Sequence, residues 1–240
     1  MKRFYSSAEA SPMEEGFGVL LDGRPLRTPG AALLVLPSEG LAAALSEEWS
    51  AQEERIRPAS MPLTQIACTA IDLAASQSAQ VVEELVGFAD TELLCYRAER
   101  PADLVQRQAA VWQPLLDWAE GTYGARLVLA TGILYRQQPA SSLAALQEAV
   151  SRYDPFVLTA LATAVRAAGS LVVGLALVER RLLPEEAFAA AELDESYCLE
   201  RWGDDPQATQ RRASVKSDLA VARRFVDLLG ADRSIVEPIP

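Results

Sequence analysis

From Phe156 to Val178 the chain carries a single charge, Arg166. A run this long and apolar has to leave water. Either it spans a bilayer or it forms the centre of a core. The membrane reading puts Arg166 near mid-bilayer, at a cost of roughly 2.5–3.5 kcal/mol. The punctuation favours the core. Asp154-Pro155 marks a helix start, with proline at the first helical position it prefers. Gly169-Ser170 ends that helix and caps another. The expectation is two buried helices and no membrane insertion. The rest of the chain must then supply their cover. With 240 residues, half of them apolar, it has the material to do so.

Composition removes several chemistries. There is no histidine, so Ser-His-Asp catalysis, Cys-His catalysis and histidine-ligated metals are excluded. Cys68, Cys95 and Cys198 lie far apart, with neither disulfide nor zinc spacing, as in a reducing compartment. The net charge of −11 lacks the basic footprint of a nucleic-acid binder. No phosphate loop occurs, and Gly16-Phe-Gly18 lacks the third glycine of a dinucleotide fingerprint. The start, Met1 to Glu9, has no apolar run, and Glu9 argues against a transit peptide. The expected location is bacterial cytoplasm, or mitochondrial matrix for a mature eukaryotic form.

Local patterns divide the chain. Phe17-Gly-Val-Leu-Leu21 reads as a strand, Asp22-Gly23 as a hairpin turn, and Arg24 to Pro29 as a returning edge strand. Leu33 to Leu36 is a further apolar run. Ser38 caps a helix whose stripe, Leu41, Leu45, Trp49, Gln52 and Ile56, carries it to Pro58. Pro62 and Ser78 open two more. A helix from Pro101 contains Pro114, where a kink or restart is expected. Leu127 to Ala130 is strand-like, and Ser141 caps another helix. Ser234 to Pro240 reads as a loose tail. The fold class is α+β, with a small β-containing part over 1–60 and a larger, mainly helical part over 61–240.

Residues 184–229 hold the candidate site. Phe188, Ala191, Glu195, Cys198 and Trp202 share one helical stripe, and Gly203 ends it. Asp205 and Pro206 open a second helix, with Ala208, Val215, Leu219, Ala222, Val226 and Leu229 in line. Residues 185–205 carry eight acids and one base, and 206–224 carry five bases and one acid. As an antiparallel hairpin these helices place Glu195 level with Arg212. Two roles stay open for Glu195: an internal pair with Arg212 that fixes register, or, with Asp194, a contact to a partner's arginine or backbone N–H. A catalytic or magnesium-binding carboxylate set is the alternative. Arg24 and Arg27 are further candidates for holding a carboxylate or phosphate. Cys95 reads as a packed thiol.

Several blocks resemble the mitochondrial and α-proteobacterial F1-ATP synthase assembly chaperones, the family that binds the F1 α subunit. They are Gly23-Arg-Pro-Leu-Arg-Thr-Pro29; Glu48-Trp49 with Gln52, Ile56, Pro58 and Met61-Pro-Leu-Thr64; Asp90 to Ala98; Trp112 to Trp118; and Leu193 to Gly203. Cys198, Gln113 and Glu92 depart from the family pattern. The resemblance implies a chaperone of F1 assembly with no catalytic activity and no cofactor. Its partner is the unassembled α subunit. The contact residues expected are Glu195, Asp194, Trp202, Arg24 and Arg27. A carboxylate-dependent enzyme, or a helical adaptor for another subunit, is the competing reading.

Overall fold

The computed structural model describes residues 1–73, 77–132, 135–203 and 205–230. The expected tail from Ser234 lies outside them. The fold class is α+β: a small sheet near the N-terminus, then mostly helix. Two compact units form. The first comprises Met1–Ser78, Asp154–Ala160 and a segment from Arg224; the second comprises Ala79–Tyr153 and Leu161–Arg223.

In the first unit β1 (Ala8–Met13), β2 (Gly16–Leu21) and β3 (Arg24–Pro25) form an antiparallel sheet in that order. Asp22 (φ 48°) and Gly23 (φ 77°) both turn left-handed, the geometry that matches a tight hairpin to strand twist. The returning strand is shorter than expected and ends at Pro25; beyond it Leu26 N still donates to the Val19 carbonyl at 2.9 Å, and a bridge pairs Arg27 with Leu33. Helix α1 (Glu39–Ser50) starts at Ser38, whose hydroxyl accepts from Leu41 N at 3.2 Å. It stops before Gln52 and Ile56, so the expected continuation to Pro58 does not form. The Gln52 side chain instead ties the following loop, accepting from Arg57 N at 2.8 Å and donating to Ser60. Helix α2 (Pro62–Leu73) is capped from α1: Glu48 accepts from Leu63 N, Thr64 N and the Thr64 hydroxyl at 2.9, 2.8 and 2.7 Å. Tyr5 donates to the Trp49 carbonyl at 2.7 Å.

The second unit holds α3 (Ser78–Asp90, from Ala79 on), the short pair β4 (Tyr96–Arg97) and β5 (Ala130–Thr131), α4 (Ala102–Tyr123) and α5 (Ala140–Ser151). Helix α4 runs unbroken through Pro114, so the expected restart does not occur. Helix α6 (Pro155–Ala168) contributes residues to both units. Asp154 caps it, accepting from Phe156 N at 2.8 Å. Helix α7 (Leu171–Val178) is buried at every position. The apolar run thus forms two core helices, and no helix among the described residues is long and apolar enough to cross a membrane. Arg166 stays half-exposed and holds both Glu84 oxygens, at 2.8 and 2.7 Å.

Gly174 sits in the middle of α7 for a steric reason. A Cβ there would lie 2.4 Å from Val165 Cγ2 and 3.3 Å from Leu161 Cδ1. Gly174→Ala is therefore expected to lower stability by about 1–3 kcal/mol through overpacking, despite alanine's better helix propensity. Urea unfolding of the variant measures it.

A candidate partner-binding face on the second unit

Pro184 opens α8 (Pro184–Ala191), and Glu186 ties its start by accepting from Leu183 N at 2.8 Å. The expected single helix is interrupted. Glu192 adopts φ −106° and ψ 23°, and α9 (Leu193–Trp202) follows. Gly203, at φ 88°, ends α9, and Asp205 caps α10 (Pro206–Leu228), accepting from Ala208 N at 3.1 Å.

The interruption changes which acid is buried. Glu192, with its side chain 6% exposed, takes the Arg211 guanidinium on both oxygens at 2.8 and 2.7 Å. It also accepts from Arg212 at 3.0 Å. Arg212 is 16% exposed, donates to the Ser196 hydroxyl at 2.9 Å and lies 5.0 Å over the Phe188 ring. Of the two roles left open for Glu195, the internal pair with Arg212 does not form among the described residues: Arg212 belongs to Glu192, a helical turn earlier. The Glu192 hydrogen bonds push the Arg211 guanidinium pKa up, with Glu195 adding a smaller field.

The buried face of these helices is Ala187, Ala190, Leu193 and Tyr197. The stripe of Phe188, Ala191, Glu195, Cys198 and Trp202 lies outside that face, half-buried or exposed. Glu195 and Cys198 are half-buried, and Trp202 is 77% exposed. The Glu195 carboxylate accepts no hydrogen bond from any described residue. Asp194, one position earlier, accepts from Gln108 Nε2 at 2.8 Å, while Gln108 Oε1 accepts from Ala98 N at 2.8 Å.

Helix α9 is held to α4 through Tyr197. Its hydroxyl donates to both Asp103 oxygens at 2.9 and 3.0 Å. The Arg201 and Arg107 guanidiniums lie 4.5 and 5.3 Å from its ring, and they pair with Asp103 and Glu200 respectively. The Tyr197 hydrogen bond is the main reason the Asp103 carboxyl pKa is lowered. Glu192 and Asp103 carry no local sequence signal for these roles, and Tyr197 is marked only as part of the block Leu193 to Gly203. The acid-base asymmetry between residues 185–205 and 206–224 was the one available signal, and it did not say which acid turns inward.

Arg24 and Arg27 belong to the first unit and are exposed; Arg27 donates to the Ala31 carbonyl at 2.7 Å. Cys95 is buried, its thiol pKa pushed up to about 12 by burial. Among the described residues no group of three or more Cys, Asp or Glu is arranged to hold a metal ion.

The sequence profile of the ATP12 chaperone protein family matches residues 2–120. Protein atp12, mitochondrial, of Schizosaccharomyces pombe is 25% identical over 214 residues, covering 84% of this chain and 74% of that protein. The crystal structure of Atp12 from Paracoccus denitrificans superposes with a TM-score of 0.89 at 41% identity, covering 95% of this chain and 98% of that one. A structure from Agrobacterium tumefaciens gives the same TM-score at 44% identity, over 95% of this chain and 86% of the other. The chain therefore belongs to the ATP12 chaperone family, the ATP synthase assembly chaperones whose ordered sequence blocks it carries.

Proposed function

We propose that the protein binds the unassembled α subunit of F1 and covers an apolar assembly surface until the neighbouring subunit replaces it. The observation that carries this reading is the outer stripe of α9. It offers half-exposed apolar surface, an exposed indole at Trp202 and an uncommitted carboxylate at Glu195. Tyr197 and its arginines hold the helix rigid, so little order is lost on binding. Exposed aromatic and apolar side chains around a charge are what an interface uses to anchor and orient a partner. Asp194 is engaged by Gln108 and takes the smaller share. The reading assigns no catalytic role and no cofactor, and it is compatible with the bacterial cytoplasm or, for a mature eukaryotic form, the mitochondrial matrix.

The test is capture of separately purified subunits. The protein is expected to retain isolated α subunit and not the completed α/β hexamer, with EDTA and without nucleotide. Glu195→Lys is expected to weaken capture by about tenfold or more through charge reversal, with an unchanged melting temperature. Undiminished capture by Glu195→Lys removes the α9 face from the reading. Loss of capture on chelation revives a metal-dependent role.

A further inference from the structure

Three hydrogen bonds tie α4 to α8 and α9 in order. Trp112 Nε1 donates to the Ala190 carbonyl at 2.9 Å, and Gln108 Nε2 donates to Asp194 Oδ1 at 2.8 Å. The Tyr197 hydroxyl donates to the Asp103 oxygens at 2.9 and 3.0 Å. Followed back along α4 from 112 to 108 to 103, the partners advance from 190 to 194 to 197, so the helices run antiparallel. The first bond ends on α8, before the interruption at Glu192. Helix α9 therefore takes its orientation from the contacts beyond that point.

Gln108 is the most constrained of these contacts. It is 1% exposed. Its Oε1 accepts from Ala98 N at 2.8 Å, which orients the amide and turns its NH₂ end to Asp194. The bond it donates is charge-assisted, and its donor is shielded from water. The other ties of α9 to α4 are looser: the Arg107–Glu200 and Arg201–Asp103 side chains are about half-exposed, where water screens ion pairs. On the α10 side Arg212 donates to the Ser196 hydroxyl at 2.9 Å, through a long side chain that can follow a small rotation.

Small rotations matter for a short helix. Turning α9 by about 20° carries a side-chain tip, about 5–6 Å from the axis, through about 2 Å. A binding constellation tolerates displacements of about 0.5 Å. Glu195 follows Asp194 directly, and Trp202 lies about two turns further on. The rotation fixed at Asp194 thus sets where both are presented.

We propose that Gln108 and Asp194 are positioning residues for the α9 face. The bond between them sets the rotation at which Glu195 and Trp202 meet the client, and Asp194 acts chiefly through its helix. The client role rests on the reading that this face holds the F1 α subunit, whereas the orientation of α9 is a property of the free protein.

The test is the Kd of the full chain for purified F1 α subunit at about 10 °C, beside the melting temperature and the ¹H–¹⁵N spectrum of each variant. Gln108→Glu sets two carboxylates against each other, and Gln108→Met removes both hydrogen bonds at similar size. Combining Gln108→Glu with Asp194→Asn restores the bond with its direction reversed: the new carboxylate accepts from the new amide and still accepts from Ala98 N. At neutral pH, Gln108→Glu and Gln108→Met are each expected to weaken capture by about tenfold and to shift the amide signals of residues 193–202. The double variant is expected to return capture to within about twofold of the parent, and the signals with it. Capture by Gln108→Glu is expected to recover towards about pH 5, where one proton shared between the carboxyls remakes the bond. Gln108→Met gains nothing there.

A lowered melting temperature with an unchanged Kd makes the bond structural alone and overturns the proposal. A folded double variant that stays weak overturns it too, as do unmoved α9 signals in both single variants. A parent that captures no α subunit defeats the functional reading and the client role with it, while the spectra still decide whether this bond orients α9.

Discussion

Glu92→Ala is expected to destabilise the protein by about 4 kcal/mol, because it orphans a set of buried donors at once. Glu92 is fully buried and sits where α7 begins. Its carboxylate accepts from the Ser170 hydroxyl, Leu171 N at 3.0 Å and Val172 N at 3.3 Å. It also accepts from Leu94 N at 3.3 Å, in its own 3₁₀ turn, Leu93–Cys95. One side chain thus caps the most buried helix of the second unit and fixes the turn that leads into β4. Burial pushes the Glu92 carboxyl pKa up to about 7, and the hydrogen bonds pull it down without offsetting this. Between the ordinary glutamate value and pH 7 the folded protein holds a proton that the unfolded chain releases. The Glu92 contribution is therefore complete in acid below the ordinary value and declines as pH rises towards 7, by on the order of 3 kcal/mol. Glu92→Gln is expected to cost about 1–2 kcal/mol and to flatten that dependence. Urea unfolding of parent and variant from pH 4.5 to 8 measures both. An unchanged pH slope in Glu92→Gln assigns the titration to another group.

The second large effect is expected at Glu192. Glu192→Leu leaves Arg212 half-stranded against Phe188, and the predicted loss is about 3–5 kcal/mol. Adding Arg212→Met is expected to recover much of it, because the two sites share one interaction. Adding Arg211→Met is expected to recover little, since Arg211 is 54% exposed and water already screens it. Glu195→Gln is expected to leave unfolding unchanged. A loss in Glu195→Gln equal to that in Glu192→Leu contradicts this assignment. The same variants separate stability from binding: Glu192 carries the fold, and the proposed contact to the client sits a helical turn away.

Local signals in the sequence determined the hairpin at Asp22-Gly23, the helix starts at Ser38, Asp154 and Ser170, the helix end at Gly203 and the two core helices of the apolar run. Each of these depends on residues within about four positions of one another, so composition and spacing suffice. The family blocks were legible in the same way. Strand β1 was not, because Ala8-Glu-Ala-Ser-Pro-Met13 has little β propensity; it forms at a sheet edge by pairing with β2. Pairings over long separations were also hidden. Glu48 and Glu92 are marked in the sequence only through the family blocks, and only the fold brings them to the N-termini of α2 and α7. The outward face of α9 was decided last. An α-helix turns by about 100° per residue, so the interruption at Glu192 reassigns every side chain beyond it. The sequence held the right residues between 188 and 202, and tertiary packing chose that Glu192 faces Arg211 and Arg212 while Glu195 and Trp202 stay available.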